Sequence, residues 1–264
     1  YVESPQGQLG KPSRALTGFA KTPTLDPNET ASVKVSFLLS SLASFDDSGK
    51  TGHPNSYVLE AGEYQFYLGG SVRQARLVDE SIKVDELIVV EQLTEALAPV
   101  TAFKRLVPKE IGQNGVYSCD YESVPLRSVD LSERILSELP ASIPFSDDRG
   151  IKLLDVKQGQ ADIDEFISQM TVKQLATIVR GEGMCSPKVT PGTAAAFGSV
   201  SPSLFDLGIP IVAAADGPSG IRMDSGHKAS QVPIGTLLGC TWNTELNEQL
   251  FHLVGKEMQA NHID

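Results

Sequence analysis

Apolar and polar residues alternate along the first third of this 264-residue chain, and further on the period changes. Val33, Val35 and Phe37 alternate with Lys34 and Ser36, and Tyr64, Phe66 and Leu68 alternate with Gln65 and Tyr67. A two-residue repeat of this kind predicts half-buried strands. Turn-forming clusters punctuate it at Leu25-Asp26-Pro27-Asn28-Glu29, at Asp46-Asp47-Ser48-Gly49 and at Ala61-Gly62-Glu63. A last extended stretch covers 82–93. Short strands with frequent turns predict an antiparallel sandwich over residues 1–93, with about four or five strands where an immunoglobulin-like sandwich has about seven. The missing strands are expected before Tyr1.

Residues 94–160 carry no strong period. Pro99, Pro108, Pro125, Pro140 and Pro144 interrupt them, and the stretch reads as a connector with no element assigned. A helical stripe then begins at Ile163, Phe166, Ile167 and Met170. Thr171 is a candidate cap for a second helix whose inner face is Leu175, Ile178 and Val179. A loop rich in Gly, Pro and Ser is expected from Gly181 to about Ser203. A third helix is predicted from about Thr244 to Ala260, capped by Asn243 or Thr244, with Leu246, Leu250, Leu253 and Val254 on one face. The last residues, His262-Ile263-Asp264, read as the approach to another strand.

Between these lies the run Ile211-Val212-Ala213-Ala214-Ala215-Asp216-Gly217-Pro218-Ser219-Gly220-Ile221-Arg222. Five apolar residues without alternation predict a strand buried on both faces, as in a parallel sheet. The Gly and Pro that follow stop it and force a loop. A carboxylate at the carboxyl end of such a strand stands where parallel α/β enzymes place ligand-binding groups; the spacing by itself also suits an Asp that merely caps the turn. Strand, loop, helix and incipient strand make the first unit of a βα repeat. A closed eight-fold barrel takes about 250 residues, so the barrel reading requires most of it to lie beyond this chain.

A hydrophobic content of 41% with 21% charged residues is globular. The net charge of −11 argues against nucleic acid or an anionic membrane surface as partner, and no apolar run is long enough to span a bilayer. Cys119, Cys185 and Cys240 are odd in number, widely spaced and without a CxxC pattern. They read as free thiols in a reducing, cytoplasmic setting rather than as a metal site. No phosphate loop, nucleotide fingerprint or Ser-His-Asp arrangement is present.

Several stretches together resemble glycoside hydrolase family 3, the group that contains β-glucosidases and β-xylosidases. Leu207-Gly208-Ile209-Pro210, Ala215 through Arg222, Pro233 to Trp242 and the helix ending Gly255-Lys256-Glu257-Met258 are similar to the start of that family's barrel domain. Lys11-Pro12, Leu16-Thr17-Gly18-Phe19-Ala20-Lys21, the 25–29 turn and Glu60-Ala61-Gly62-Glu63-Tyr64 resemble its fibronectin-III-like domain. That domain usually follows the barrel; its place before the barrel resembles the domain-permuted subgroup. The resemblance implies a multi-domain β plus α/β chain: a fibronectin-III-like β-sandwich (1–93), a connector (94–160) and the beginning of a (β/α)8-type barrel (161–264), both domains incomplete here.

It further implies a retaining exo-acting β-glucosidase working on β-glucosides or oligosaccharides without a cofactor or metal. A β-xylosidase or other glycosidase of the family, and a non-catalytic carbohydrate- or partner-binding protein, stay open as alternatives. On this resemblance Asp216 matches the sugar-binding Asp of the glycone subsite, and Arg222 matches a basic residue beside it that reaches sugar or orients Asp216. The nucleophile and the acid/base are expected outside this chain, and no catalytic residue is assigned within it. The segment alone is therefore expected to be inactive. It is expected to fold only with the remaining polypeptide; a homo-oligomer is left open.

Other residues are weaker candidates. Trp242 suits a core position better than sugar stacking, His227 suits a loop, Glu182 lies on a Gly-flanked loop able to border a site, and His252 suits a helix surface. Asp46 and Asp47 read as a solvated turn.

Overall fold

The structure, a computed structural model, describes every residue except Asn114, and of Ile111 the backbone alone. It divides into two compact units, Tyr1–Leu139 and Pro140–Asp264.

Unit 1 holds β1 (Val2–Glu3), β2 (Ser44–Asp46), β3 (Ser56–Leu59), β4 (Gly62–Leu68), β5 (Arg76–Val84), β6 (Ile88–Gln92), β7 (Lys104–Ile111), β8 (Tyr117–Ser123) and a short helix α1 (Leu131–Ser137). Two antiparallel three-stranded sheets, β1-β4-β5 and β2-β3-β6, form a sandwich. Its core draws on both: Val2, Leu42, Leu59, Tyr64 and Val84 are buried together, with Phe37, Phe66 and Ile82 packed on them. The alternation at 62–68 is borne out for Tyr64 and Phe66, which face the core, whereas Leu68 is exposed. The extended stretch at 82–93 proves to be the end of β5 and all of β6, separated by the turn at 85–87.

The alternation at 33–37 makes no strand. Phe37 still packs on the core, edge-on to Phe66 at 5.8 Å, but Val33 and Val35 are exposed. Alternation shows that a segment has two faces; a strand also needs a neighbouring backbone to pair with, and none of the sheets takes this segment in. The stretch 94–160 also differs from the expected connector. It contains the β7–β8 hairpin, in which Lys104 pairs with Ser123 and Val107 with Asp120, and the break between the units falls inside it at 139/140. Pro108 sits within β7 where the register shifts, a position an edge strand tolerates because proline has no N–H to donate.

Two buried carboxylates organise the unit. Glu60 takes the ammonium of Lys11 and the backbone N–H groups of Gln8 and Leu9 at 2.6 and 3.2 Å; Lys11 also donates to the carbonyls of Pro5 and Leu9. The Tyr64 hydroxyl donates to the Glu60 carbonyl at 3.0 Å, a tyrosine corner of the kind known in such sandwiches. Asp46 corrects the expectation of a solvated turn. It is fully buried and accepts from the Ser48, Lys50 and Thr51 N–H groups and from the Ser48 and Thr51 hydroxyls, at 2.7–3.2 Å. Its neighbour Asp47 is drawn instead into a bidentate pair with Arg105 at 2.5 and 3.0 Å. The hydrogen-bond donors that fold back on Asp46 lie within five residues of it, yet nothing in the spacing distinguishes them from a turn that faces water.

Unit 2 contains α2 (Leu153–Lys157), α3 (Ile163–Ser168), α4 (Val172–Arg180), β9 (Ala195–Gly198), a helical turn α5 (Pro202–Phe205), β10 (Ile211–Ala214), α6 (Gly235–Gly239) and α7 (Thr244–Ala260). The predicted caps are in place. Thr171 and Gln174 form a reciprocal capping box on α4, and the Asn243 side chain accepts from Leu246 N–H on α7. Phe166, Met170, Leu204 and Leu207 make the core, flanked by Leu175, Ile178 and Ile209; Val179, expected on the inner face, is exposed. The expected 181–203 loop contains β9 and the start of α5. β9 pairs antiparallel with β10, Ala196 opposite Ala213. The run 211–215 therefore finds an antiparallel neighbour, and only Ala213 of β10 is buried.

Burial pushes the Asp46 pKa up, but the hydrogen bonds from Thr51, Ser48 and Lys50 outweigh it and hold the carboxyl below the usual range. A depressed native pKa stabilises the fold above the unfolded value, near pH 3.9, and that contribution is lost as pH falls through the native value. Asp46→Asn is expected to destabilise unit 1 by ~2 kcal/mol or more at pH 7, since charged hydrogen bonds contribute roughly 1.5–3 kcal/mol each and are not additive. The deficit relative to the native chain should shrink toward pH 3. Urea unfolding at the two pH values tests both statements.

Candidate functional site

β10 ends at Ala214, and Asp216 follows after one residue. The chain then turns tightly: Arg222 N–H donates to the Asp216 carbonyl at 2.8 Å, closing the seven-residue loop 216–222. The loop is supported from behind by residues 230–232. Val232 N–H donates to Ser219 carbonyl at 3.0 Å, and Ser230 is held by Glu257 of α7, whose Oε1 accepts from its N–H and hydroxyl at 2.9 and 3.2 Å. Gly220 has φ +101°, and a Cβ there would collide with the Ser230 carbonyl oxygen. Glycine is thus required twice over, by backbone conformation and by space.

The two sequence-predicted residues come together on this loop. Arg222 Nη1 lies 3.9 Å from Asp216 Oδ2, and both side chains are about 60% exposed. At that distance the pair is an ion contact without a hydrogen bond. The Asp216 oxygens are accordingly accessible, and an accessible carboxylate beside a guanidinium suits a polyhydroxylated ligand. The carboxylate accepts from adjacent hydroxyls while the guanidinium donates.

A residue that sequence reasoning missed completes the group. Asp224 receives Arg222 Nε at 3.0 Å (Oδ1) and Nη2 at 3.2 Å (Oδ2). The i, i+2 spacing of Arg222-Met223-Asp224 was the available signal, but in a loop it carries no facing rule, and only the structure shows which way the chain turns.

The other candidates lie elsewhere. Trp242 corrects the core expectation: it is half exposed, at φ +51° in the link before α7. His227 is on the exposed loop and His252 on the exposed side of α7. Glu182 pairs by its backbone with Ala196 of β9, and its carboxylate is engaged by Lys188 and by Ser186 Oγ at 2.7 Å. Those hydrogen bonds, Lys188 first, lower its pKa, so Glu182 is an ion-pair partner rather than a free acid. Among the described residues no group of three or more His, Cys, Asp or Glu is placed to hold a metal, the three cysteines are free and exposed, and no helix is long and apolar enough to cross a membrane.

The chain is similar to several known proteins. The family model of the fibronectin type III-like domain matches residues 1–72. Over all 264 residues the chain is 48% identical to a β-glucosidase of Ruminococcus albus, covering 27% of that protein. It is 32% identical to β-glucosidase A of Butyrivibrio fibrisolvens, with 93% of this chain and 31% of that protein aligned. Among solved structures, a β-glucosidase from Paenibacillus barengoltzii superposes with a TM-score of 0.95 at 52% identity, over 100% of this chain and 29% of that one. The chain thus spans less than a third of the length of these relatives.

Gly220→Ala is expected to lower stability by ~2 kcal/mol or more, because a strained backbone costs on the order of 1–3 kcal/mol before any clash. Gly226→Ala has a comparable φ of +84° but open space around the added Cβ, and should cost only ~1 kcal/mol. Thermal unfolding of the two variants side by side measures the difference, which is the worth of the Gly220–Ser230 approach.

Proposed function

We propose, from the premise that this chain is a segment of a glycoside hydrolase of family 3 of the β-glucosidase type, that the complete protein releases terminal non-reducing β-linked glucose from glucosides or oligosaccharides with retention of configuration. The observation that carries the reading is an accessible Asp216–Arg222 pair on a glycine-closed loop, in a chain that aligns from end to end with β-glucosidases. Asp216 is assigned as a glycone ligand accepting from two neighbouring hydroxyls, and Arg222 as a donor to the same sugar or to Asp216 itself.

A retaining glycosidase works with two carboxyl groups about 5–5.5 Å apart, one the nucleophile and one the acid/base. The reading places both in polypeptide outside these 264 residues. What the present chain contributes is binding that strengthens as the sugar distorts toward its transition state, where hydrogen bonds to ring hydroxyls add several kcal/mol. We also read unit 2 as the beginning of a (β/α)8-type barrel. After α7 the chain returns to β10: Asp264 N–H donates to the Ala213 carbonyl at 3.1 Å, and Ala213 N–H donates to Asp264 Oδ2 at 2.9 Å. The exposed Leu246 and Leu253 on α7 favour further packing on that helix.

Purified residues 1–264 are expected to leave aryl β-glucosides intact, while the complete protein hydrolyses them and prefers them to xylosides. Turnover by a homogeneous 264-residue chain would overturn the placement of the catalytic carboxylates. In the complete protein, Asp216→Asn should lower kcat/KM roughly 10–150-fold, equivalent to the ~1.5–3 kcal/mol of a charge-assisted hydrogen bond, with the melting temperature nearly unchanged. A stability loss with unaltered kinetics would mark Asp216 as a turn cap instead.

A further inference from the structure

We infer that Asp224 is a positioning residue for the sugar site: it holds Arg222 by its Nε–Nη2 edge and so keeps the guanidinium from closing onto Asp216. This rests on the reading of Asp216 as a glycone ligand.

Arg222 stands between two carboxylates with unequal claims on it. Asp224 takes two hydrogen bonds, at 3.0 and 3.2 Å, in the side-on fork that suits a guanidinium. Asp216 is left with an ion contact at 3.9 Å. A guanidinium bound bidentately to Asp216 would occupy the oxygens that sugar hydroxyls need, and the ligand would have to break that pair before binding. With Asp224 holding the Nε edge, Nη1 remains directed at the Asp216 side and its N–H groups stay available to the ligand. Asp224 is the more sheltered partner, with its side chain 31% exposed against 60% for Asp216.

The backbone explains why Asp224 can do this. Its N–H donates to the Gly192 carbonyl at 3.0 Å, and the next residue, Ser225, donates through Oγ to the Pro191 carbonyl at 2.8 Å. Two residues beyond Gly192, Ala194 N–H donates to the carbonyl of Ala214 at 2.9 Å, the last residue of β10. One short segment, 191–194, therefore fixes both the end of the strand that carries Asp216 and the loop that carries Asp224. Gly192 makes that approach possible: at φ +88°, an added Cβ would lie 2.7 Å from Asp224 N and 2.5 Å from Ser225 N. The segment is itself secured by Thr190 Oγ1 donating to the Asn261 carbonyl at 2.6 Å and by the fully buried Thr193. The separation between the two carboxylates is thus set by backbone, and the arginine spans it.

The test is a double-mutant cycle in the complete protein with an aryl β-glucoside as substrate. Asp224→Ala is expected to lower kcat/KM about tenfold, the scale of a charge-assisted pair. The loss should appear in KM and in the inhibition constant for glucose, with the melting temperature within a few degrees of the parent; Asp224→Asn, which keeps one acceptor oxygen, should restore part of it. In an Arg222→Ala background the same substitution should have little further effect, because its consequence passes through the guanidinium. An undiminished loss in that background, or no loss from Asp224→Ala where Asp216→Asn and Arg222→Ala both impair binding, would overturn the positioning role alone. If Asp216→Asn and Arg222→Ala are themselves without effect on kcat/KM, the sugar-site reading falls and this inference with it.

Discussion

The register between β9 and β10 is the constraint on which the candidate site depends. Ala196 stands opposite Ala213, both buried, and each is small enough to let the pair lie close against what covers it. A slip of one residue would send Ala213 to the other face and move the strand's end with it. Because the register is fixed, Ala214 ends β10 at a set place, Ala194 bonds to its carbonyl, and Asp216 follows at a set distance. The loop then has little freedom. Its neck is closed by Arg222 N–H on Asp216, and its back rests on the Ser230 carbonyl through a glycine.

Unit 1 is organised by a different means, the burial of charge. Lys11 and Glu60 are 7% and 5% exposed and bonded to one another. Removing one partner from such a pair typically costs 3–5 kcal/mol, although replacing both with apolar residues can be neutral. The pair therefore specifies more than it stabilises. It ties the 5–11 segment to the end of β3 and to Tyr64 through atoms that have no equivalent partner elsewhere. A Cβ at Gly7 would press on the Glu60 carboxylate, so a side chain there would have to shift it from its donors. The same residues, Lys11 and Glu60 to Tyr64, carried the likeness to a fibronectin-III-like domain, and the match over residues 1–72 spans them.

Both units illustrate how a polar group is made useful by denying it solvent or by granting it. Asp46 and Glu60 are enclosed and satisfied by nearby donors, so each fixes a turn. Asp216 remains open, with its guanidinium neighbour held elsewhere. Composition is blind to this distinction, since all three are carboxylates flanked by turn residues.

What the sequence determined by itself was whatever rests on local rules. The burial of Phe166 and Met170 from the predicted stripe (though not of Ile163, which is exposed), the Thr171 and Asn243 caps and the extents of β4 and α7 follow from periodicity and from side-chain bonds spanning three or four residues. Asp216 and Arg222 were singled out by the family resemblance, since the spacing alone suited a turn-capping Asp equally well; the bond from Arg222 N–H to the Asp216 carbonyl that brings them together is a feature of the folded loop. What tertiary structure decided was every feature that needs a distant partner. Residues 33–37 alternate, but none of the described sheets takes them in; 211–214 find β9 on their flank and run antiparallel to it; Trp242 is half exposed. Asp224 is assigned its role by Gly192, thirty-two positions earlier in the chain. Pairing and burial are properties of two segments at once, and one segment's pattern states only which faces it offers.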